Sequence, residues 1–235
     1  MTFVSFVAKY VFVAFVANVG RNKLRQMPRG IFVTGTDTNV GKTVVSAALL
    51  SRYRDAAPLR YWKPIQTGIE QDDDSAEVAR LAALPARKGP AYGARKGPAY
   101  GVREEPAYGY EEILSCGVRL PRPVSPHLAA RLHGTQISVQ PLVDLLRAQP
   151  ATSRWIVEGA GGVLVPLNEE GSPSHAEMMV DLMIALALPV LVVARSTLGT
   201  INHTLLTLEA LRGRTLAVAG VVMVGPPDDE NRAAI

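Results

Sequence analysis

Gly30-Ile-Phe-Val-Thr34-Gly35-Thr-Asp-Thr-Asn39-Val40-Gly41-Lys42-Thr43 decides the fold of this chain. An apolar strand, Ile31 to Thr34, runs into a turn bounded by Gly35 and Gly41, and the helix-like run Val44 to Arg52 follows. In such a loop, successive backbone N–H groups and a helix N-terminus form a concave site for anions. Lys42 is placed to reach the outer phosphates of a nucleoside triphosphate, and the Thr43 hydroxyl to ligate Mg²⁺. The spacing departs from the common phosphate loop, because five residues, not four, separate the two glycines. A bare Gly-Lys-Thr is a weak signal, and an ordinary glycine turn would also carry it. The strand before it and the helix after it favour nucleotide binding.

Working outward, the rest of the chain alternates. Strands are expected at Leu59 to Lys63, Arg154 to Val157, Pro189 to Ala194 and Leu216 to Val224. Helices are expected at Ser75 to Leu84, Pro126 to Leu132, Val139 to Ala148, Ala176 to Leu188 and Ile201 to Leu211. Strands separated by helices predict one α/β domain of the P-loop NTPase type, a mostly parallel sheet with helices on both faces. Ligands of such sheets bind beyond the carboxyl ends of the strands. The polar residues of the phosphate loop, Lys63, Glu158 and Arg195 all fall at those ends, which predicts one shared site.

The 235 residues, 48% hydrophobic and 20% charged, suit a single globular domain with a real core. The net charge of +4 is local: residues 1–28 carry Lys9, Arg21, Lys23 and Arg25 without an acidic residue, leaving 21 basic against 21 acidic groups elsewhere. That balance argues against a nucleic-acid partner. Cys116 is the single cysteine, which excludes an internal disulfide and a Cys-based zinc site. The four histidines lack ligand spacing.

Two segments stand apart. Residues 1–28 are apolar and then basic, marginally long for a membrane span and with Lys9 near the middle. They are read as an extension outside the domain, with Met27 as a natural start. A membrane attachment is disfavoured and a cytoplasmic location expected. The domain then spans 29–235. Residues 86–109 hold Ala-Arg-Lys-Gly-Pro-Ala-Tyr-Gly twice and a variant once. Gly and Pro in every copy cannot continue a helix or central strand, so the repeat is read as a surface-loop insertion. A basic, tyrosine-bearing arm touching a partner is the alternative.

Three further segments join the phosphate loop. Lys63-Pro-Ile-Gln-Thr67-Gly68 places a cation and a hydroxyl four residues apart. Gln71-Asp-Asp-Asp74-Ser75 opens a helix, its aspartates serving either as an N-cap or as a Mg²⁺ ligand. Glu158-Gly159-Ala160-Gly161-Gly162 ends a buried strand, where an isolated carboxylate is costly without a metal or cationic partner.

Together with Ser125-Pro-His127 and Leu198-Gly199-Thr200-Ile-Asn202-His203, these segments resemble the dethiobiotin synthetases from Gly30 to about Gly225. The resemblance implies a ligase that carboxylates 7,8-diaminopelargonic acid with CO₂ or bicarbonate and closes the cyclic urea of dethiobiotin, through a carbamate phosphorylated by ATP. It implies Mg²⁺ on Thr43, Asp74 and Glu158, with Asp73 as the alternative to Asp74, and Lys42 and Lys63 as catalytic cations. Nucleotide contacts fall on Asn39, Val40, Gly41, Lys42, Thr43, Val44, Asp74, Glu158, Gly159, Ala160, Gly161, Val224 and Gly225. Substrate contacts fall on Thr67, Gly199, Thr200 and Asn202, the last three reaching across a homodimer interface. Taken alone, Leu198 to Thr200 reads as a plain strand-to-helix turn.

Two departures from the family pattern stand out. Val224 occupies a place where the family commonly presents an Asn that reads adenine, so weaker base selectivity is expected. The run to Ile235 reads as a charged loop, where similar proteins continue with a helix, a strand and residues closing the base pocket. A truncated C-terminus with an unpaired sheet edge is therefore expected. The rival functions are a switch ATPase of the partition type and an inactive truncated homologue. The first would show a second lysine between Thr36 and Val40, where there is none. An ATP-dependent amidase would need a glutaminase domain with a catalytic Cys, and Cys116 has no suitable context, so that reading is not expected.

Overall fold

The computed structural model describes residues 28–85, 110–169 and 176–235. The expectations for 1–27 and for the repeat at 86–109 lie outside the described residues.

Eight strands and seven helices are defined among the described residues. In chain order they are β1 (Arg29–Gly35), α1 (Lys42–Tyr53), β2 (Leu59–Trp62), β3 (Ile65–Thr67), α2 (Asp74–Leu81), β4 (Ile113–Leu114), β5 (Val118–Leu120) and α3 (Pro126–Leu132). There follow α4 (Val139–Arg147), β6 (Arg154–Glu158), α5 (Met179–Leu186), β7 (Val190–Arg195), α6 (Thr200–Arg212), β8 (Val218–Val224) and α7 (Asp229–Ala233). Six strands pair in the order β4-β2-β6-β1-β7-β8, and every pairing is parallel. This is the expected α/β sheet.

The sheet is covered on both faces because its central strands are apolar on both. Successive residues of β1 point to opposite sides. Ile31 and Val33 join Tyr61, Ile156, Leu191 and Val193 against Val45, Leu49 and Leu50 of α1 and Val78 of α2. Phe32 joins Trp62, Trp155, Val157, Val190 and Val192 against residues of α3, α4, α5 and α6. Helix α4 shows the helical stripe in its simplest form: Val139, Leu142, Val143 and Leu146 are its buried residues. Trp155 is almost wholly buried, and truncating such a side chain to Ala costs about 3–5 kcal/mol. Register is pinned at Gly30, where an added Cβ would stand 1.9 Å from the Trp155 carbonyl oxygen. Only glycine lets β1 and β6 close at that point.

The structure corrects the sequence reading in three places. Strands β3, β4 and β5 were not expected; β3 and β5 form a separate two-stranded parallel ribbon, turned at Gly117 beneath the Pro64 carbonyl. Residues 176–178 do not belong to α5: Met178 bridges to Pro166, and Glu177 is bonded through both backbone and side chain to Asn168. The charged run near Ile235 is not simply a loop. Asp228 accepts the Asn231 N–H at 2.8 Å and starts α7, which carries Asp229 and Glu230 in its first turn.

Candidate active site

Strands β2, β6 and β1 are neighbours in the sheet, and their carboxyl ends deliver Lys63, Glu158 and the phosphate loop to one place. The loop itself is held by close packing. Asn39 takes a left-handed conformation, and Gly41 has φ 99° as the residue before α1. A Cβ on Gly35 would meet the Val40 side chain at 2.7 Å and the Asp37 carbonyl at 2.8 Å. One on Gly41 would press the Val224 methyls at 3.0 Å, so Val224 packs directly over the loop. Val40 is buried, whereas Val44 and Thr43 are half-buried at the helix start.

Lys42 folds back across this loop, and its Nζ donates to the Asp37 carbonyl at 2.8 Å. Burial, and then the nearby charge of Lys63, pull the Lys42 ammonium down to about 8, against the pull of Glu158, Asp74 and Asp37. On the outer side Arg195 donates to the Thr38 carbonyl at 3.1 Å and lies 3.5 Å from the Asp37 carboxylate.

A four-residue cluster lies beside the loop. Thr43 Oγ1 is 3.0 Å from Asp74 Oδ1 and 3.1 Å from Glu158 Oε1. Lys63 Nζ is 2.5 Å from Asp74 Oδ2, 2.9 Å from Glu158 Oε1 and 3.2 Å from the Gly159 carbonyl. Lys63 is 3% exposed and Glu158 not at all. Burial opposes the charge on Lys63, but Glu158 and Asp74 outweigh it and hold the ammonium above its ordinary range. Asp74 is held below the usual carboxylate range: burial would raise it, and the bonds to Lys63 and Thr43 prevail. The Asp run divides its labour. Asp73 is the N-cap of α2, accepting from the Ser75 and Ala76 N–H groups, which leaves Asp74 to face Thr43 and Lys63.

Glycines carry the chain away from Glu158. A Cβ on Gly159 would strike the Phe32 ring at 2.9 Å, and Gly161 has φ 66° with Val165 close by. Ala160 is half-buried between them. Gly225, after β8, has φ 136°, and a Cβ there would lie 2.3 Å from Ser196 Oγ. Asn231 of α7 donates to the Ser196 carbonyl, tying α7 to the same rim.

The remaining sequence-predicted residues make other contacts. Thr67 ends β3 and is half-buried. Gly199 is the left-handed residue before α6, and Asn202 is exposed in its first turn. Thr200 is buried, its hydroxyl 3.4 Å from that of Thr204. Among the described residues no hydrogen bond or ion pair is recorded between these four and the cluster.

Two contributors were not anticipated. Tyr61, fully buried, donates its phenol to Glu158 Oε2 at 3.1 Å. Its place two residues before Lys63 puts both side chains on one side of the chain, which is the sequence signal that could have found it. Arg119, 5% exposed, donates through Nη1 to the Lys63 carbonyl at 2.7 Å, while its Nη2 has no hydrogen-bond partner among the described residues. A lone guanidinium between Val118 and Leu120 was the available clue.

Chemically, the cluster offers two carboxylates and a hydroxyl, all hard oxygen donors, on the edge of an anion-binding loop. Those donors fit Mg²⁺, which keeps several waters and takes few protein ligands when nucleotide phosphates are present.

Comparison with known proteins agrees with this geometry. A family model described as an AAA domain matches residues 29–94 and 102–235. The chain is 47% identical to an ATP-dependent dethiobiotin synthetase BioD of Paramagnetospirillum magneticum, over 88% of this chain and 82% of that protein. It is 41% identical to the BioD of Brucella ovis, over 87% of this chain and 79% of that protein. It is also 47% identical to a biotin biosynthesis bifunctional protein BioCD of Bordetella avium, over 88% of this chain but only 37% of that longer protein. A strand-bound phosphate loop with Lys63, Asp74 and Glu158 gathered beside it, in a sequence this close to those proteins, places the chain in the ATP-dependent dethiobiotin synthetase family.

Proposed function

We propose that the chain forms dethiobiotin in biotin biosynthesis, using ATP to close a cyclic urea from 7,8-diaminopelargonic acid and CO₂. The observation that carries the reading is the Lys63 ammonium set between Asp74 and Glu158, with Thr43 bonded to both, beside the phosphate loop.

One amine of the diamine takes up CO₂ as a carbamate. A carbamate oxygen attacks the γ-phosphorus of ATP, breaking the bond to ADP. The second amine then attacks the carbonyl carbon of the mixed anhydride and expels phosphate. Transfer of this kind needs alignment and charge neutralisation more than covalent help. Lys42 serves the outer phosphates, moving from the Asp37 carbonyl to them. Lys63 faces the carbamate and stabilises the charge that develops there. Thr43, Asp74 and Glu158 hold Mg²⁺, which when bound neutralises phosphate charge. Asn39, Val40, Gly41, Val44 and the Gly159-Ala160-Gly161 turn line the phosphates, and Val224 and Gly225 border the base. Without a side-chain donor at Val224, discrimination between ATP and other nucleoside triphosphates is modest.

Thr67 contacts the diamine. Gly199, Thr200 and Asn202 take its carboxylate from a second copy of the chain in a homodimer. The reading carries with it a cytoplasmic location; among the described residues no helix is long and apolar enough to cross a membrane.

The test is phosphate release from ATP with bicarbonate, with and without the diamine. Release that requires the diamine and yields a cyclic urea supports the synthetase. Diamine-independent release would point to a switch ATPase, and no release from folded protein to an inactive homologue.

A further inference from the structure

The two oxygens of Glu158 are treated differently. Oε2 meets the phenol of Tyr61, a neutral donor wholly enclosed in the core. Oε1 meets Lys63 and Thr43, on the side that opens toward the phosphate loop. Asp74 repeats the division in part, with Oδ1 on Thr43 and Oδ2 on Lys63. The Lys63 ammonium therefore lies at the point where the oxygens of Asp74 and Glu158 converge, and it meets there part of the demand that a divalent cation would meet in full. Two buried or half-buried carboxylates cannot share such a space without positive charge between them.

We propose that Lys63 holds the place of the divalent cation in the nucleotide-free site, and that Tyr61 is a positioning residue that keeps Glu158 aimed while its outer oxygen is exchanged from Lys63 to the metal. This rests on the assignment of Asp74 and Glu158 as metal-facing residues. The exchange has a purpose in the reaction. Lys63 leaves the carboxylates only when metal and nucleotide arrive together, so its charge is turned toward the carbamate at the moment a γ-phosphate stands ready. Before that, Lys63 offsets one of the two carboxylate charges, and the nearby Lys42 ammonium offsets the other. Tyr61 is suited to its part because a phenol carries no charge to be displaced by the incoming cation. Groups that hold a metal-binding carboxylate in this way commonly contribute ten- to a hundredfold to metal affinity.

The measurement is Mn²⁺ binding, followed by the electron paramagnetic resonance of the free ion, with the full chain and ADP at saturation. Wild type, Tyr61→Phe, Lys63→Met and Glu158→Gln are compared, each checked for folding by circular dichroism, and ADP binding is measured separately without metal. Tyr61→Phe is expected to bind Mn²⁺ about tenfold more weakly. Lys63→Met is expected to bind it more tightly than wild type, since the resident cation no longer competes. ADP binding without metal should be alike in both. Equal Mn²⁺ affinity in wild type and Tyr61→Phe would overturn the positioning role. Equal or weaker affinity in Lys63→Met would overturn the exchange. If Glu158→Gln binds Mn²⁺ as wild type does, the metal assignment itself falls, and the proposal falls with it.

Discussion

The guanidinium of Arg119 is tied to the main chain of Lys63, with Nη1 2.7 Å from the Lys63 carbonyl oxygen. No ion pair to Arg119 is recorded among the described residues, and burial pulls its pKa below the ordinary arginine value. A buried cation in that state is costly, and here it fixes the turn that presents Lys63. Arg119→Met, of similar volume, is expected to fold, since apolar replacements of buried charge are often neutral. Its kcat should fall about tenfold through misplacement of Lys63, with KM for ATP little changed. Steady-state kinetics decides this; an unaltered kcat would make Arg119 a structural residue alone.

The two lysines should fail differently. On the proposed roles, Lys42→Ala removes the group that would serve the phosphates and should abolish turnover together with tight nucleotide binding. Lys63→Ala should spare ADP binding and depress ring closure, while breaking its buried pair costs roughly 3–5 kcal/mol of stability. Calorimetric ADP binding alongside thermal melts separates the cases. Equal loss of nucleotide affinity in both would contradict the division.

Gly35 permits no side chain without moving the loop. Its added Cβ would crowd Val40 and the Asp37 carbonyl, and would come within 3.0 Å of Lys42 Nζ. Gly35→Ala should therefore lose about 1–3 kcal/mol of stability and weaken ADP binding about tenfold. A variant that binds ADP as wild type does would show that the loop reshapes at no cost.

Cys116 is half-buried, and burial pushes its thiol above the ordinary value, with only partial relief from Arg119. The sign is that of an acid whose charged form is disfavoured, so native protein at pH 8.5 should hold Cys116 as thiol. Alkylation by iodoacetamide is expected to be many times slower in folded than in denatured protein. Comparable rates would mean that the thiol is open to solvent and ionises freely.

The parallel sheet was legible because β1, β6 and β7 are apolar on both faces and cannot be mistaken for half-exposed strands. Two members of the cluster were legible because a proline or glycine beside each marks a strand end: Lys63 before Pro64, Glu158 before Gly159. What escaped the sequence was short or paired at a distance. Strands β4 and β5 have two and three residues, too few for alternation to register. Tyr61 reads as an ordinary core aromatic until β2 and β6 are laid side by side. Which aspartate meets Thr43 and Lys63 was a matter of one residue in the register of α2: Asp73 caps the helix and Asp74 makes the contacts.

The order β2-β6-β1 also sets a length. Adjacent strands lie about 4.8 Å apart, so the end of β1, which carries the phosphate loop, and the end of β2, which carries Lys63, are separated by about 10 Å. That interval is built from main-chain hydrogen bonds and does not depend on which side chains decorate the surface. On the proposed function it works as a fixed gauge between the nucleotide and the group to be activated, so that diamines with longer or shorter tails would differ only beyond it, at the end remote from the reacting amines.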